Sequence, residues 1–230
     1  MDTTQPLTGV HRVGYLRGAF GRATGAAAGA RERFYRSQLA AHAFRIGTCS
    51  TRTTHPFFLK SLRSALVLAG ISNELTNPFL EKTKGEVIVH CKDQDAIKRL
   101  ASITVSCSHS SRRTYWRRKE AGNCGYCYPC LIRRAALFAA GLDKGTDYGL
   151  DVCVGELPAE MATAADYRAL LDAIANLRSF DDVLAALVSN GGLDEAERLR
   201  LAPMVWRGIE ELRSFVTEAG SDEMRRLAAA

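Results

Sequence analysis

Four cysteines in the pattern C-x16-C-x2-C-x2-C, namely Cys107, Cys124, Cys127 and Cys130, constrain this chain more than any other feature. The chain has seven Cys in all, an odd number that does not suit a disulfide framework. Its first 30 residues hold no apolar leader stretch, so we expect a cytoplasmic protein. In a reducing compartment such spacing reads as metal ligation. Two intervening residues let two thiolates converge on one ion, and a thiolate from a nearby segment completes a tetrahedron. Gly122 and Gly125 supply flexible backbone, and Pro129 stiffens the turn. Arg112, Arg113, Arg117, Arg118, Arg133 and Arg134 flank the cluster, and their positive potential favours thiolates. Three readings stay open. The favoured one is a structural Zn²⁺ with all four positions filled. The others are an iron–sulfur cluster, since C-x2-C-x2-C is also a cluster-ligating run, and a redox or nucleophilic cysteine. His109 either replaces one thiolate or, as we favour, makes a loop hydrogen bond. Cys49, Cys91 and Cys153 stand alone and read as small buried residues.

The 230 residues are 47% hydrophobic and 24% charged, enough apolar content for a real core, which excludes wholesale disorder. No apolar run approaches the ~18 residues of a membrane-spanning helix. The formal charge of +6 is unevenly spread. Residues 1–46 carry +5, residues 47–134 carry +9 and residues 135–230 carry −8. This asymmetry points to an anionic ligand beside the cysteines, or to docking between regions.

Composition divides the chain into a Gly/Arg/Ala-rich extension (1–46), expected to be poorly ordered, a basic cysteine-bearing part (47–145) and an acidic helical tail (146–230). Alternative readings of the extension are a nucleic-acid-binding arm and an Arg-rich transit peptide. Residues 56–70 read as a helix with Pro at its start and Gly at its end, and with Phe58, Leu62, Ala65, Leu66 and Ala69 on one face. Residues 86–91 suit either a strand or, given the Thr83/Glu86 capping box, a helix, to which we lean. Residues 93–101 read as a short helix, 103–106 as an extended segment, and 131–140 as a helix stopped by Gly141. Three helices follow: 164–177 capped by Thr163, 180–189 capped by Ser179, and 194–218, kinked or split at Pro203.

The run Ser106-Cys107-Ser-His109, with Asn123-Cys124-Gly125-Tyr-Cys127-Tyr-Pro129-Cys130-Leu131-Ile-Arg133, resembles the C-terminal zinc motif of 7-cyano-7-deazaguanine synthases, the QueC family. Residues 50–56 (STRTTHP), 77–86 (NPFLEKTKGE) and 133–137 (RRAAL) are similar to a QueC-like branch found in Qat anti-phage defence. The similarity spans about residues 46–215 and is densest from 47 to 141. It implies an α/β fold of the adenine-nucleotide α-hydrolase type, here represented by a mostly helical C-terminal half with a few short strands. It implies an activity in which a carboxylate is adenylated with ATP and converted with ammonia into a nitrile on a deazapurine. It implies a structural zinc held by Cys107, Cys124, Cys127 and Cys130. Thr83 and Lys84 match the family's T-K near the nucleotide, with Lys84 as a candidate phosphate contact. Arg52 and His55 fall in the substrate-side loop. Each has a plainer reading: Lys84 as a solvated first-turn residue, Arg52 as an ion-pair partner, His55 as a cap for the following helix.

The family's S-G-G-x-D-S phosphate loop is not found in this sequence. Ser189-Asn-Gly191-Gly192-Leu-Asp194 is a near miss that follows a helix and reads as a C-cap turn. We therefore expect a C-terminal half of a longer, split or mis-started protein, inactive toward ATP by itself. Its expected partners are an N-terminal ATP-binding half or other defence proteins, with no membrane. Rival readings are a stand-alone zinc module gripping an anion, perhaps nucleic acid, through residues 112–119, and a half-enzyme completed by a partner chain.

Overall fold

The computed structural model describes residues 55–108, 122–154, 164–188 and 192–229. Residues 1–46, Arg52, His109, the arginines at 112, 113, 117 and 118, Cys49 and Thr163 lie outside these. Among the described residues the fold is helical, with eight α-helices and a 3-10 turn at Gly145–Asp147. They are α1 (Pro56–Leu68), α2 (Lys84–Val89), α3 (Gln94–Leu100), α4 (Tyr128–Ala139), α5 (Ala165–Asn176), α6 (Phe180–Val188), α7 (Glu195–Ala219) and α8 (Asp222–Ala229).

The short strands expected from the sequence are not formed among the described residues. The β-pairing seen there is an isolated parallel bridge between Asn123 and Tyr148. Residues 86–91 are not a strand because the capping box at Thr83 starts a helix: the Thr83 hydroxyl accepts from the Glu86 N–H at 3.0 Å, and the Glu86 carboxylate accepts from the Thr83 N–H at 2.9 Å. The segment around Thr104 has no neighbouring strand among the described residues, and side chains bond its backbone instead. Asn123 Oδ1 accepts from the Ser106 N–H at 2.9 Å, and its Nδ2 donates to the Thr104 carbonyl at 3.0 Å.

α4 starts three residues earlier than the sequence suggests, with Pro129 in its first turn. This start places Cys130 inside the helix. Its N-terminus is capped from afar, by Asp166 of α5, whose Oδ2 accepts from the Tyr128 N–H at 3.0 Å. α7 is one continuous helix of 25 residues despite Pro203. Proline removes the bond to the carbonyl of Leu199, but Leu199 is 54% exposed and water can serve that oxygen. Burial of Leu201, Ala202, Ile209, Leu212 and Phe215 then holds the helix together. At ~1.5–3 kcal/mol per fully buried large apolar side chain, this outweighs the ~3 kcal/mol of an interior proline.

α4 lies at the centre, packed on α2 and α7, while α5 packs on α8 and α6 on α7. The main core joins Cys124, Tyr126, Cys127 and Cys130 to Leu131 of α4, Tyr167, Leu170 and Leu171 of α5, and Ile209, Leu212 and Phe215 of α7. A smaller cluster under α6 and the start of α7 gathers Val183, Leu187, Leu193, Leu201 and Ala202. α1 differs. It forms where expected, stopped at Gly70 with φ +77°, but none of its residues is buried. No helix among the described residues is long and apolar enough to cross a membrane.

Candidate metal centre

The sulfurs of Cys107, Cys124, Cys127 and Cys130 all lie within 4.8 Å of one another and could hold a metal ion. Cys124–Cys130 and Cys127–Cys107 are each 3.9 Å apart. The last three cysteines are fully buried, whereas Cys107 is half-buried.

Local chain geometry brings three of them together. Gly125, at φ +93°, reverses the chain between Cys124 and Cys127. A Cβ there would stand 2.0 Å from the Leu150 carbonyl oxygen, so only glycine fits. The turn directs the Cys127 N–H at the Cys124 sulfur (3.3 Å), and the Cys124 N–H points at the Cys107 sulfur (3.3 Å). Such N–H···S bonds stabilise charge on the sulfurs. Hydrogen bonding from Cys124 holds Cys107 below the ordinary thiol range, and Cys107 does the same for Cys127. Cys124 and Cys130 are pushed up by the same crowding, led by Cys107. A divalent cation held by the four sulfurs would resolve this competition, since a coordinated thiol loses its proton.

Gly125→Ala combines a left-handed backbone with a clash against Leu150. We expect it to cost more than the ~1–3 kcal/mol of such strain alone, and to lower metal content. Thermal melts and elemental analysis check this; a variant with normal stability and metal content contradicts the account.

The two arginines nearest the cluster in α4 are engaged away from the sulfurs. Arg134, 2% exposed, binds Asp143 at 2.9 Å and Asp151 at 2.7 Å. Its guanidinium also stacks over the rings of Tyr148 (4.7 Å) and Phe215 (5.3 Å). Burial alone would lower its pKa, but the charges and hydrogen bonds of its neighbours, Asp143 first among them, together outweigh this and raise it. Burial pushes Asp143 up, against the pull of Arg134. The network pins the 143–151 loop over the knuckle, where the N–H groups of Gly149 and Leu150 donate to the Asn123 and Cys124 carbonyls at 2.8 and 3.0 Å. Arg133 holds the other flank: its Nη1 donates to the Thr104 hydroxyl at 2.6 Å and its Nη2 to the Ala101 carbonyl. Arg133 and Arg134, expected from the sequence to lend positive potential to the cluster, also brace the segments on either side of it.

The remaining residues singled out in the sequence occupy two adjoining clefts that share Lys82, Met204 and Val205. Lys84 and Thr83 line a cleft of about 260 Å³ between α2, α4 and α7, walled by Tyr128, Ile132 and Ile209. Thr83 is 5% exposed, and its hydroxyl donates to Glu211 Oε1. Lys84 keeps access to solvent. Burial nevertheless lowers its pKa, with the Arg133 charge adding to the effect. Burial also pushes the Tyr128 phenol up to about 12, helped by the Asp166 charge. His55 sits on the second cleft, where its Nδ1 accepts from the Phe57 N–H at 3.2 Å and caps α1. Of the near-miss glycine turn, Gly192 has φ +70° and Asp194 caps α7 with a capping box; residues 189–191 lie outside the described set. Cys91 and Cys153 are half-buried and separate from the four-sulfur centre.

Sequence reasoning missed Asp166 and Glu211 altogether, because each acts on a backbone or hydroxyl group far along the chain. For Asn123 the available signal is its place directly before Cys124. Comparison of the chain with protein-family models, with curated proteins and with solved structures gives no match.

Proposed function

We propose that the four-cysteine centre holds one structural zinc ion, and that the chain is the zinc-bearing portion of a QueC-like 7-cyano-7-deazaguanine synthase homologue from the anti-phage defence branch. The observation that carries the zinc reading is the sulfur spacing. Zn–S bonds of ~2.3 Å in a tetrahedron put the sulfurs ~3.8 Å apart, and the 3.9 Å pairs fit one ion. An iron–sulfur cluster places its thiolates on different irons and spreads them wider. Four protein ligands leave no position for a substrate water, so the ion serves the fold.

The family reading rests on the motif residues and on the place of the Lys84 cleft, which is walled by the helix that carries Cys130. In this reading the described helices are the C-terminal helical part of an adenine-nucleotide α-hydrolase-like α/β fold, working in the cytoplasm. Lys84 faces the nucleotide or deazapurine, while Arg52 and His55 belong to the substrate side. The ATP phosphate loop comes from an N-terminal half or a partner chain.

Elemental analysis of purified protein tests the metal: one zinc per chain and no visible colour are expected, and stoichiometric iron with broad visible absorbance contradicts it. ATP turnover tests the remainder. The chain alone is expected to be inactive and to gain turnover with a chain carrying the S-G-G-x-D-S loop. Turnover by the isolated chain would contradict the proposal.

A further inference from the structure

We propose that Cys107 is the opening ligand of the metal centre, with Asn123 and Arg133 as the positioning residues that hold it closed. The inference rests on the metal reading above and extends it to how the ion enters and leaves.

The four ligands are not equivalent. Cys124, Cys127 and Cys130 sit within seven consecutive residues, on a turn and the first turn of α4, and are 0% exposed. Their arrangement is set by continuous backbone, by the left-handed Gly125 and by the Asp166 cap on α4. Cys107 comes from a separate segment and is half-buried. Its segment belongs to no helix or strand. Among the described residues, side-chain bonding links it to the knuckle: Asn123 to Ser106 and Thr104, and Arg133 to Thr104 and Ala101. The Cys124 N–H to the Cys107 sulfur adds one bond at the ligand itself.

Both braces are buried, Asn123 at 2% exposure and Arg133 at 8%, so their polar groups have little water to turn to when the segment moves. Losing such a contact leaves buried donors and acceptors unsatisfied, which keeps the closed state favoured. Local opening follows the elements with the fewest buried contacts. Of the two segments that bear the four cysteines, the one with fewer buried residues is the Cys107 segment, so the other three sulfurs would stay in place. Cys124, Cys127 and Cys130 would therefore take up an ion first, with Cys107 closing over it last and opening first on release.

The test uses the zinc-loaded full chain and iodoacetamide. In this alkylation a thiolate sulfur displaces iodide to form one C–S bond, and a zinc-binding dye reports the released metal. Peptide mass spectrometry reads which cysteine reacts first. We expect Cys107 to lead the four ligands, with its modification tracking zinc release. In Asn123→Ala and Arg133→Gln, Cys107 is expected to react at least tenfold faster while the other three ligands keep their order. Loss of such supporting contacts weakens metal affinity ~10–100-fold. Cobalt(II) substitution supplies a second readout that simple destabilisation does not give. The wild type is expected to show the spectrum of four sulfurs, and Asn123→Ala that of three sulfurs and a water. Simultaneous modification of all four ligands, or first reaction at Cys124, Cys127 or Cys130, would overturn the proposal. So would an unchanged Cys107 rate in both variants. A protein that binds neither zinc nor cobalt refutes the metal reading instead, and elemental analysis identifies that outcome before any alkylation.

Discussion

Stripping the metal with a strong chelator is expected to abolish the cooperative unfolding transition of this protein. A four-thiolate zinc site carries ~10–16 kcal/mol of apparent binding free energy near neutral pH, against a total domain stability of ~5–15 kcal/mol. The knuckle is part of the main core: Cys124, Tyr126, Cys127 and Cys130 pack against Leu131, Tyr167 and Val152. Without a cation, four sulfurs within 4.8 Å of one another compete for protons and repel when charged. The turn then has little to hold it, and α4 loses its anchored start. Calorimetry should show the main transition disappear on chelation and return when zinc is restored. The cluster of Val183, Leu187, Leu193 and Leu201 lies away from the cysteines, so hydrogen exchange in α6 should be the least affected. Thiol ligation also requires deprotonated sulfur, so acid releases the ion and the same loss is expected as pH falls. A melting temperature unmoved by chelation would contradict a structural role for the centre.

Replacing Arg134 with Met is expected to cost about 3–5 kcal/mol, the usual penalty for breaking a buried ion pair from one side. The arginine is enclosed, and two carboxylates, Asp143 and Asp151, depend on it. Methionine fills the volume but leaves both acids without their cation, and Asp143 is only 8% exposed. The loop that these acids anchor supplies the Leu150 N–H that caps the Cys124 carbonyl. For a chain of this size the melting temperature should fall by roughly 10 °C. Arg134→Lys retains a charge but cannot reach both carboxylates through a planar fork, and should recover only part of the loss. A penalty below about 1 kcal/mol for Arg134→Met would show that the network is not the brace described here.

What was legible in the sequence follows from the range of each interaction. The gathering of Cys124, Cys127 and Cys130 could be read because their spacing is itself the geometry of the turn. The capping box of Thr83 and Glu86 is a four-residue signal and placed α2. The early start of α4 was not legible, since its cap is Asp166, 38 residues away. The extended segment expected at residues 103–106 forms no strand among the described residues, for a similar reason. An extended segment becomes a strand only if another backbone pairs with it, and here a single asparagine side chain takes that place. Pro203 argued locally for a break in α7, but packing on α4 and α6 overrode it. For α1 the periodicity gave the helix without its partner: Phe57, Phe58, Val67 and Leu68 face solvent in the described structure.

X-ray absorption at the zinc edge of the purified protein tests the central claim most directly. The account predicts a single shell of four sulfurs at ~2.3 Å, with no lighter ligand and no second metal nearby. A shell containing nitrogen or oxygen would contradict it, as would iron in place of zinc with metal–metal scattering.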